Sequence, residues 1–124
     1  ADVVSDVIQY LAKRVDECCN NGIKLENIVV DPGFCFGKTL VHNVTLLKHL
    51  SEFKKLGLPV LVGVSRKSMI GKILDVPVDA RLYGSIAAAI IAGQKGAHII
   101  RVHDVAATKQ ALAMVAAIEY EEAL

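Results

Sequence analysis

Side chains suited to binding an anion follow three apolar stretches of the chain, at the point where each stretch ends. One carboxylate follows the first stretch, a Ser-Arg-Lys-Ser run follows the second, and arginine, histidine and aspartate end the third. A carboxylate among basic side chains suits an anionic substrate whose polar head forms hydrogen bonds. The residues concerned are Asp31, then Ser65, Arg66, Lys67 and Ser68, then Arg101, His103 and Asp104.

The first of these regions, "DPGFCFGKT", ends like a phosphate-binding loop. A loop of that kind has a glycine five residues before the glycine of Gly-Lys-Thr. Counting back from Gly37 gives Pro32, which lacks the backbone N–H that a phosphate cradle uses. The loop interior holds Phe34 and Phe36, which are better suited to flank a flat ring than to wrap a phosphate. We therefore do not expect a nucleotide at this loop.

Hydrophobic periodicity places these side chains on alternating helices and buried strands. Apolar residues at helical spacing predict a first helix that stops at Gly22, and Asn43 is expected to cap the second helix. Asp79 is expected to open a third helix that is apolar nearly all round and therefore buried, and the last helix runs from Ala107 to about Tyr120. The predicted strands are "NIVV", "PVLVGV" and "AHIIRVHDV".

The predicted order is α-β-α-β-α-β-α, and the strands are too uniformly apolar for a sheet with one face in water. This pattern predicts a parallel sheet covered by helices, with the strand ends along one ligand-binding rim. Two architectures fit: a small doubly wound α/β fold, or part of a (β/α)8 barrel. A whole barrel takes about 250 residues, and three strands are few for a doubly wound sheet. At 124 residues the chain is therefore expected to be incomplete.

Composition limits the classes of partner. The 14 basic and 13 acidic side chains are mixed along the chain and give a formal net charge of +1, so we expect no nucleic acid or membrane surface as a partner. No apolar run approaches the length of a membrane span. Cys18, Cys19 and Cys35 have the spacing of neither a disulfide framework nor a metal site, which predicts a reduced, cytoplasmic protein.

Three long motifs resemble the C-terminal part of dihydropteroate synthase: "VDPGFCFGKT", "LPVLVGVSRKSMIG" and "RLYGSIAAAIIAGQKGAHIIRVHDV". The similarity runs through nearly the whole chain. It implies that residues 1–124 form part of one TIM (β/α)8 barrel domain, namely the last three β/α units with a preceding helix and parallel strands. It also implies a transferase of folate synthesis, a sulfonamide target that condenses 6-hydroxymethyl-7,8-dihydropterin pyrophosphate with p-aminobenzoate.

The resemblance assigns roles to residues at the strand ends. Asp31 would accept hydrogen bonds from the amino-pyrimidine edge of the pterin, and Lys67 would contact the pterin and lie close to the p-aminobenzoate ring. Ser68 would receive the benzoate carboxylate at a helix N-terminus. Arg101 would stack on the pterin face and, with His103, hold the departing pyrophosphate. The catalytic residues that the resemblance implies are Lys67, Arg101 and His103.

Further residues complete the implied substrate site. Phe34 and Phe36 would wall the ring pockets, and Gly63 would allow the ligand close to the barrel floor. In the family Mg²⁺ assists the pyrophosphate, but we identify no metal ligands in this chain. Cys35 stands where the family commonly has glycine, which is expected to alter the loop locally and leave the chemistry intact.

Other polar residues receive structural interpretations. His42, His49 and His98 have no partners at a useful spacing, and Asp104 is expected to cap the last helix. An aspartate before Pro-Gly is also a turn-forming pattern, which is the alternative interpretation of Asp31. For Lys67 and its neighbouring arginine, the alternative is a pair of solvated charges.

The resemblance leaves the first five strands of a barrel without a counterpart. We therefore expect this chain alone to be inactive, and to self-associate through open sheet edges and an uncovered apolar face. One alternative is a self-contained doubly wound module that binds an anionic ligand without catalysis. Another is a truncated product whose only activity is self-association.

Overall fold

The first helix ends where the sequence predicts. This helix, α1, Val3–Asn20, starts after Asp2, whose carboxylate accepts the backbone N–H of Val4 at 3.1 Å. Its apolar residues recur on one face and pack against the core. Gly22, with a φ of +92°, turns the chain away after the last turn of the helix.

The computed structural model, which describes residues 2–123, contains a small parallel sheet. Strand β1, Leu61–Val62, pairs with β2, Ile99–Ile100. Val30 forms a parallel bridge with Val60, so β1 lies between the Val30 segment and β2. The predicted strands are therefore confirmed in order and direction. Their regular pairing is shorter than predicted, and "NIVV" contributes a single bridge.

The remaining helices alternate with the sheet, and each packs on the next one along the chain, α1 on α2, α2 on α3, α3 on α4 and α4 on α5. Their bounds are α2, Leu40–Lys48; α3, Ser68–Leu74; α4, Leu82–Gln94; and α5, Val105–Glu119. Short 3-10 helices occupy Leu25–Asn27, Leu50–Leu56, Val78–Ala80 and Glu121–Ala123. Within residues 2–123, none of the helices combines the length and the apolar character needed to cross a membrane.

One hydrophobic core connects the helices with the sheet. It extends from Val4 of α1 to Ala92 of α4. Full burial of a large apolar side chain stabilises a fold by about 1.5–3 kcal/mol, so this cluster fixes the strand ends relative to the helices. Its largest fully buried side chains are Phe34, Leu46, Leu50, Phe53, Val62 and Val64.

The start of α2 differs from the prediction. Thr39 is the N-cap, and its Oγ1 accepts the backbone N–H of His42 at 3.1 Å. The His42 Nδ1 in turn accepts the Thr39 N–H at 3.5 Å, which completes a capping box. Asn43, the predicted cap, lies inside the helix and is buried. The prediction was wrong because Thr39, which also has a capping side chain, lies directly before the first helical residue.

The predictions for the region that contains α3 and α4 were also wrong in three respects. Helix α3 has only seven residues, about two turns, which is too short for the hydrophobic period to reveal. Asp79 lies in the 3-10 helix before α4 and does not open α4. The prediction that α4 is buried all round was wrong, because Tyr83 is 83% exposed and Ile91 is 39% exposed. The buried face of α4 consists of small residues, Ser85, Ala88, Ala89 and Ala92.

Candidate functional site

Hydrogen bonds join the three regions that follow the strands. The ammonium of Lys67 donates to the carbonyl of Phe34 at 3.0 Å, which ties the second region to the first. The Oγ of Ser65 and the Nδ1 of His103 lie 2.9 Å apart, which ties the second region to the third. The parallel strands therefore bring these regions together, and we call residues 31–36, 63–68 and 101–104 the rim.

A cavity of about 280 Å³ opens at the rim between the second and third regions. Lys67 and Arg101 give it two positive charges, and His103 adds a group that can donate a hydrogen bond. This volume lies just below the roughly 300 Å³ at which small-molecule pockets begin, so it suits one anionic group of a larger ligand. The lining residues are Gly63, Ser65, Lys67, Arg101, Val102 and His103.

Gly63 lies directly beneath the guanidinium of Arg101. A Cβ at this position would lie 2.9 Å from both Nε and Cζ of the arginine, which is closer than real side-chain contacts allow. In this structure the space that glycine leaves is therefore used by Arg101. The exposed arginine side chain is thereby placed along the edge of the cavity.

Asp31 forms a turn at the end of the first predicted strand. Its Oδ1 accepts the backbone N–H of Gly33 at 2.8 Å, which is an Asx turn. Asp31 therefore does form the turn that its sequence pattern favours. The turn does not use Oδ2, and the half-buried carboxylate lies on the rim, so the turn is compatible with a second role in binding a ligand.

The Gly-Lys-Thr sequence that ends this loop stabilises the loop and the start of the next helix. The ammonium of Lys38 donates to the carbonyl of Gly33 at 2.8 Å and to that of Phe36 at 3.2 Å. Thr39 caps α2. The lysine and the threonine thus both have structural partners within the loop and the following helix.

The two phenylalanines of the loop lie in different environments. Phe34 is fully buried in the core, whereas Phe36 is 71% exposed. The ammonium of Lys67 lies 5.0 Å from the centre of the Phe36 ring, a cation–π distance. Phe36 thus presents aromatic surface at the rim. Phe34 needs a movement of the loop before it can contact a ligand.

Cys35 adopts a backbone conformation that favours glycine. Its φ is +71°, in the left-handed region. The side chain of Asn43 holds this conformation by accepting the Cys35 N–H at 2.8 Å and donating to the Thr39 carbonyl at 3.0 Å. The structure thus gives a physical reason for a glycine at this position of the motif. All three cysteines are free thiols.

The local environment shifts the protonation of Lys67. Burial is the largest cause of its lowered pKa, and the charge of Arg101 acts in the same direction. Cys35 and Asp31 oppose the shift. A bound anion would favour the charged form of Lys67, because negative charge compensates both for burial and for the neighbouring cation.

Asp104 pairs with Arg66 across the rim. The guanidinium donates from Nη2 to Oδ1 at 2.7 Å and from Nε to Oδ2 at 3.2 Å. This hydrogen bonding lowers the pKa of Asp104 and raises the pKa of Arg66. Asp104 does occupy the N-cap position of α5, but its side chain makes no capping hydrogen bond. The prediction that the Asp104 side chain caps the last helix was therefore wrong, because Arg66 binds the carboxylate instead.

The histidines outside the rim have structural contacts, as predicted. The Nδ1 of His98 accepts the N–H of Val60 at 3.1 Å beside the sheet. His42 belongs to the capping box of α2. The Nδ1 of His49 lies 3.4 Å from a carboxylate oxygen of Glu52 at the surface.

Two residues that support the rim were not predicted. The Oγ of Ser85 accepts the N–H of Arg66 at 2.9 Å and donates to the carbonyl of Arg81 at 2.6 Å. The guanidinium of Arg81 donates to the carbonyl of Arg66 at 2.9 Å. The only sequence signal was a lone hydroxyl in the apolar stretch "SIAAAIIAG".

The described residues, 2–123, contain no group of three His, Cys, Asp or Glu side chains placed to hold a metal ion. The cavity is lined by the cationic Lys67 and Arg101, together with Ser65 and His103, and by no carboxylate of the described residues. Magnesium prefers carboxylate and phosphate oxygens, so this donor set does not fit a protein-held Mg²⁺.

Comparisons with a family model and with known proteins identify the same family. The model of the family "Pterin binding enzyme" matches residues 1–103. A protein named dihydropteroate synthase from Haemophilus influenzae is 59% identical over 111 residues, which cover 90% of this chain and 40% of that protein. The chain thus spans less than half the length of this relative.

Solved structures show the same similarity. The dihydropteroate synthase from Xanthomonas albilineans, in complex with 7,8-dihydropteroate, superimposes with a TM-score of 0.95 at 43% identity, covering 97% of this chain and 46% of that one. The Yersinia pestis dihydropteroate synthase, solved with a sulfonamide drug, gives a TM-score of 0.93 at 46% identity, covering 96% and 43%.

Proposed function

The chain belongs to the family of pterin binding enzymes, and on that basis we propose that it forms the C-terminal part of a dihydropteroate synthase of folate synthesis. The reaction joins 6-hydroxymethyl-7,8-dihydropterin pyrophosphate to p-aminobenzoate and gives 7,8-dihydropteroate and pyrophosphate. The ligands of the Xanthomonas albilineans and Yersinia pestis structures, 7,8-dihydropteroate and a sulfonamide drug, support this choice of substrates.

The observation that carries the proposal is the cationic cavity shared by Lys67, Arg101 and His103. Pyrophosphate gains negative charge on the oxygen that was bonded to the pterin methylene carbon as that bond breaks. Positive groups fixed in advance around that oxygen stabilise the transition state without reorganisation. We assign Arg101 and His103 to the departing pyrophosphate, and Lys67 to both the pterin and the neighbouring p-aminobenzoate.

The first region of the rim supplies the pterin contacts in this proposal. Asp31 uses one carboxylate oxygen for its turn, and a carboxylate has lone pairs for further donors on the amino-pyrimidine edge. Phe36 offers an exposed ring beside Lys67. Ser68, which follows Lys67 as the first residue of α3, is assigned to the benzoate carboxylate.

The proposed chemistry is a dissociative substitution. The bond between the pterin methylene carbon and the pyrophosphate oxygen breaks, and pyrophosphate leaves with the electron pair. The pterin ring delocalises the resulting cation, and the amine lone pair of p-aminobenzoate forms the new C–N bond before the nitrogen loses a proton. The protein's contribution is orientation of the two substrates and stabilisation of the leaving group. Mg²⁺, which the resemblance associates with the pyrophosphate, would be held outside this chain.

We propose a (β/α)8 barrel as the fold of the whole enzyme. The Val30 segment, β1 and β2 lie in consecutive parallel order, and each helix packs on the next. A doubly wound sheet reverses its strand order at the ligand crevice, and residues 2–123 show no such reversal. The strand order therefore favours the barrel over the doubly wound alternative.

The rest of the substrate site is proposed to lie outside these 124 residues. This chain covers 40% of the Haemophilus influenzae relative, and its own cavity suits only one anionic group. We therefore propose that the chain alone is inactive and that it associates with itself. The cytoplasmic location likewise remains a prediction from the cysteine content.

A chimera tests the function. In it, this chain replaces the matched segment of the Haemophilus influenzae relative. With p-aminobenzoate, the pterin pyrophosphate and Mg²⁺, we expect dihydropteroate from the chimera and none from the chain alone. Turnover by the chain alone would contradict the proposed incompleteness. A folded chimera that binds the pterin without turnover would support the binding-module alternative, and one that binds no pterin would contradict the proposal.

The variant Asp31→Asn separates the turn from the ligand role. Its amide oxygen still accepts the Gly33 N–H, but its NH2 group cannot accept a hydrogen bond from the pterin. We expect the chimera to keep its thermal midpoint and to lose pterin affinity by roughly tenfold or more, the scale of a hydrogen bond to a charged group. Unchanged affinity would restrict Asp31 to the turn. Asp31→Ala, which removes both roles, is the comparison.

A further inference from the structure

We propose that Ser85, on α4, is a positioning residue that sets the substrate-binding turn at residues 65–68. It does so by holding Arg66 in its left-handed conformation, and thereby fixes the direction of Lys67 and Ser68. This inference rests on the proposed function, because it concerns the p-aminobenzoate side of that site. Ser85 itself touches no substrate.

The backbone at Arg66 is strained. Its φ is +57°, a left-handed conformation that is unfavourable for a residue with a Cβ. Such a residue keeps this conformation only when its surroundings hold it there. The strain falls on the residue directly before Lys67, and it therefore decides where the lysine points.

Three contacts supply the hold, and we call Ser85, Arg81 and Asp104 the Arg66 clamp. Ser85 accepts the Arg66 N–H at 2.9 Å, and Arg81 donates to the Arg66 carbonyl at 2.9 Å. Asp104 binds the guanidinium through both of its carboxylate oxygens. The backbone donor, the backbone acceptor and the side chain of Arg66 are thus all occupied.

Ser85 is the central member of the clamp. It is 4% exposed, and its hydroxyl donates to the Arg81 carbonyl at 2.6 Å while it accepts from Arg66. A partly buried N–H that loses its acceptor destabilises the conformation that buries it, so removing this oxygen penalises the present conformation of Arg66. Ser85 of α4 and Arg81, which lies directly before α4, therefore hold the two peptide groups on either side of the Arg66 Cα.

The turn that the clamp holds has two consequences at the cavity. The N–H of Lys67 bonds to the carbonyl of Val64 at 3.1 Å, which closes the turn. The Lys67 ammonium then reaches the Phe34 carbonyl, and Ser68 begins α3. If Arg66 relaxes to a negative φ, the following peptide rotates, and both Lys67 and Ser68 leave their present positions.

The packing of α3 supports the same conclusion. The guanidinium of Arg81 lies so close to Gly71 of α3 that a Cβ there would collide with it. Arg81 therefore contacts both the turn and the helix that follows it. The clamp fixes the start of α3 relative to α4.

The test measures Michaelis constants in the chimera. Ser85→Ala removes the acceptor, and Ser85→Thr keeps a hydroxyl. We expect Ser85→Ala to raise KM for p-aminobenzoate roughly threefold to tenfold, the scale of one lost hydrogen bond, because both Lys67 and Ser68 are displaced. KM for the pterin pyrophosphate should rise less, because of these two residues only Lys67 is assigned to the pterin. Ser85→Thr should restore most of the affinity for p-aminobenzoate.

Thr108→Ala is the matched control, because Thr108 is another buried hydroxyl residue on a neighbouring helix and lies outside the clamp. We expect it to lower the thermal midpoint without changing either KM. Equal KM values for Ser85→Ala and the unsubstituted chimera would overturn the positioning role, as would a parallel rise in Thr108→Ala.

Asp104→Asn provides a second route in case Ser85→Ala does not fold. It weakens the hold on the Arg66 side chain from α5, so we expect KM for p-aminobenzoate to rise in the same direction. An unchanged KM in this variant would count against the clamp. A folded chimera that makes no dihydropteroate before any substitution would overturn the proposed function itself, and this outcome is distinct from failure of the clamp.

Discussion

The guanidinium of Arg101 lies against the backbone of Gly63, where a Cβ would be 2.9 Å from its Nε and Cζ. The two residues belong to neighbouring parallel segments, and their contact forms one edge of the cationic cavity. An arginine placed over a glycine at a strand end has its charged group directed to the rim by the backbone itself.

Gly63→Ala tests this relationship. Because the atoms that must move belong to an exposed, flexible side chain, we expect the free energy of unfolding to change by no more than about 1 kcal/mol. KM for the pterin pyrophosphate should rise several-fold, since Arg101 is displaced. Kinetics and urea unfolding of the chimera measure both. Gly93→Ala is the control, because its new Cβ meets nothing closer than 3.7 Å, and an effect on KM there would contradict a local cause.

Asn43 is expected to be worth more to stability than the N-cap Thr39. Asn43→Ala removes two hydrogen bonds at a buried site and leaves the Cys35 N–H without its partner, which should cost about 2 kcal/mol. Thr39→Ala should cost about 1 kcal/mol, the usual value for a cap. Urea unfolding of the two chimeric variants compares them. A larger cost for Thr39→Ala would show that the bridge from Asn43 to the loop is weak.

Cys35→Gly should stabilise the fold relative to Cys35→Ala. With φ at +71°, alanine keeps the steric cost of the left-handed conformation, whereas glycine removes it and loses some chain entropy in return. We expect a difference of about 1 kcal/mol in favour of glycine, read from thermal or urea unfolding. Equal stability of the two variants would mean that the loop has another conformation in solution.

The Arg66–Asp104 pair predicts a dependence of stability on acid. In the folded chain, Arg66 lowers the pKa of Asp104 below its ordinary value of 3.8. The pair therefore stabilises the fold above that value and loses this contribution as the pH falls through the lower folded-state pKa. The raised pKa of Arg66 changes the free energy of unfolding only at very high pH.

Thermal unfolding between about pH 2 and pH 6 measures this contribution. We expect the midpoint of the unsubstituted chimera to fall more steeply below about pH 4 than that of Asp104→Asn. Salt near 1 M should reduce the difference, because the screening length is then about 3 Å and the pair is partly exposed. Parallel curves for the two proteins would contradict a stabilising pair.

Sequence-based prediction succeeded best for features that depend on residues adjacent in the chain. The stop of α1 at Gly22 depends on neighbours in the chain, and it was predicted correctly. The cap of α2 was misassigned by a few residues, because Thr39 and Asn43 both have capping side chains. Hydrophobic periodicity missed helix α3, because seven residues show no clear period, although the resemblance implied a helix N-terminus at Ser68.

The sequence by itself determined the parallel order of the strands and the polar residues at their ends. Local apolar patterns specify buried strands, and parallel strands place their ends along one edge. It also supplied the family resemblance, through motifs that span nearly the whole chain.

Only the tertiary structure decided which partners these side chains have. Ser85 reaches Arg66 across 19 positions of sequence, and Ser65 meets His103 across 38. Such contacts depend on how helices pack against the sheet, and no local pattern of the chain records that packing. The same packing buried Phe34 while it left Phe36 exposed, although the two residues lie in one short motif.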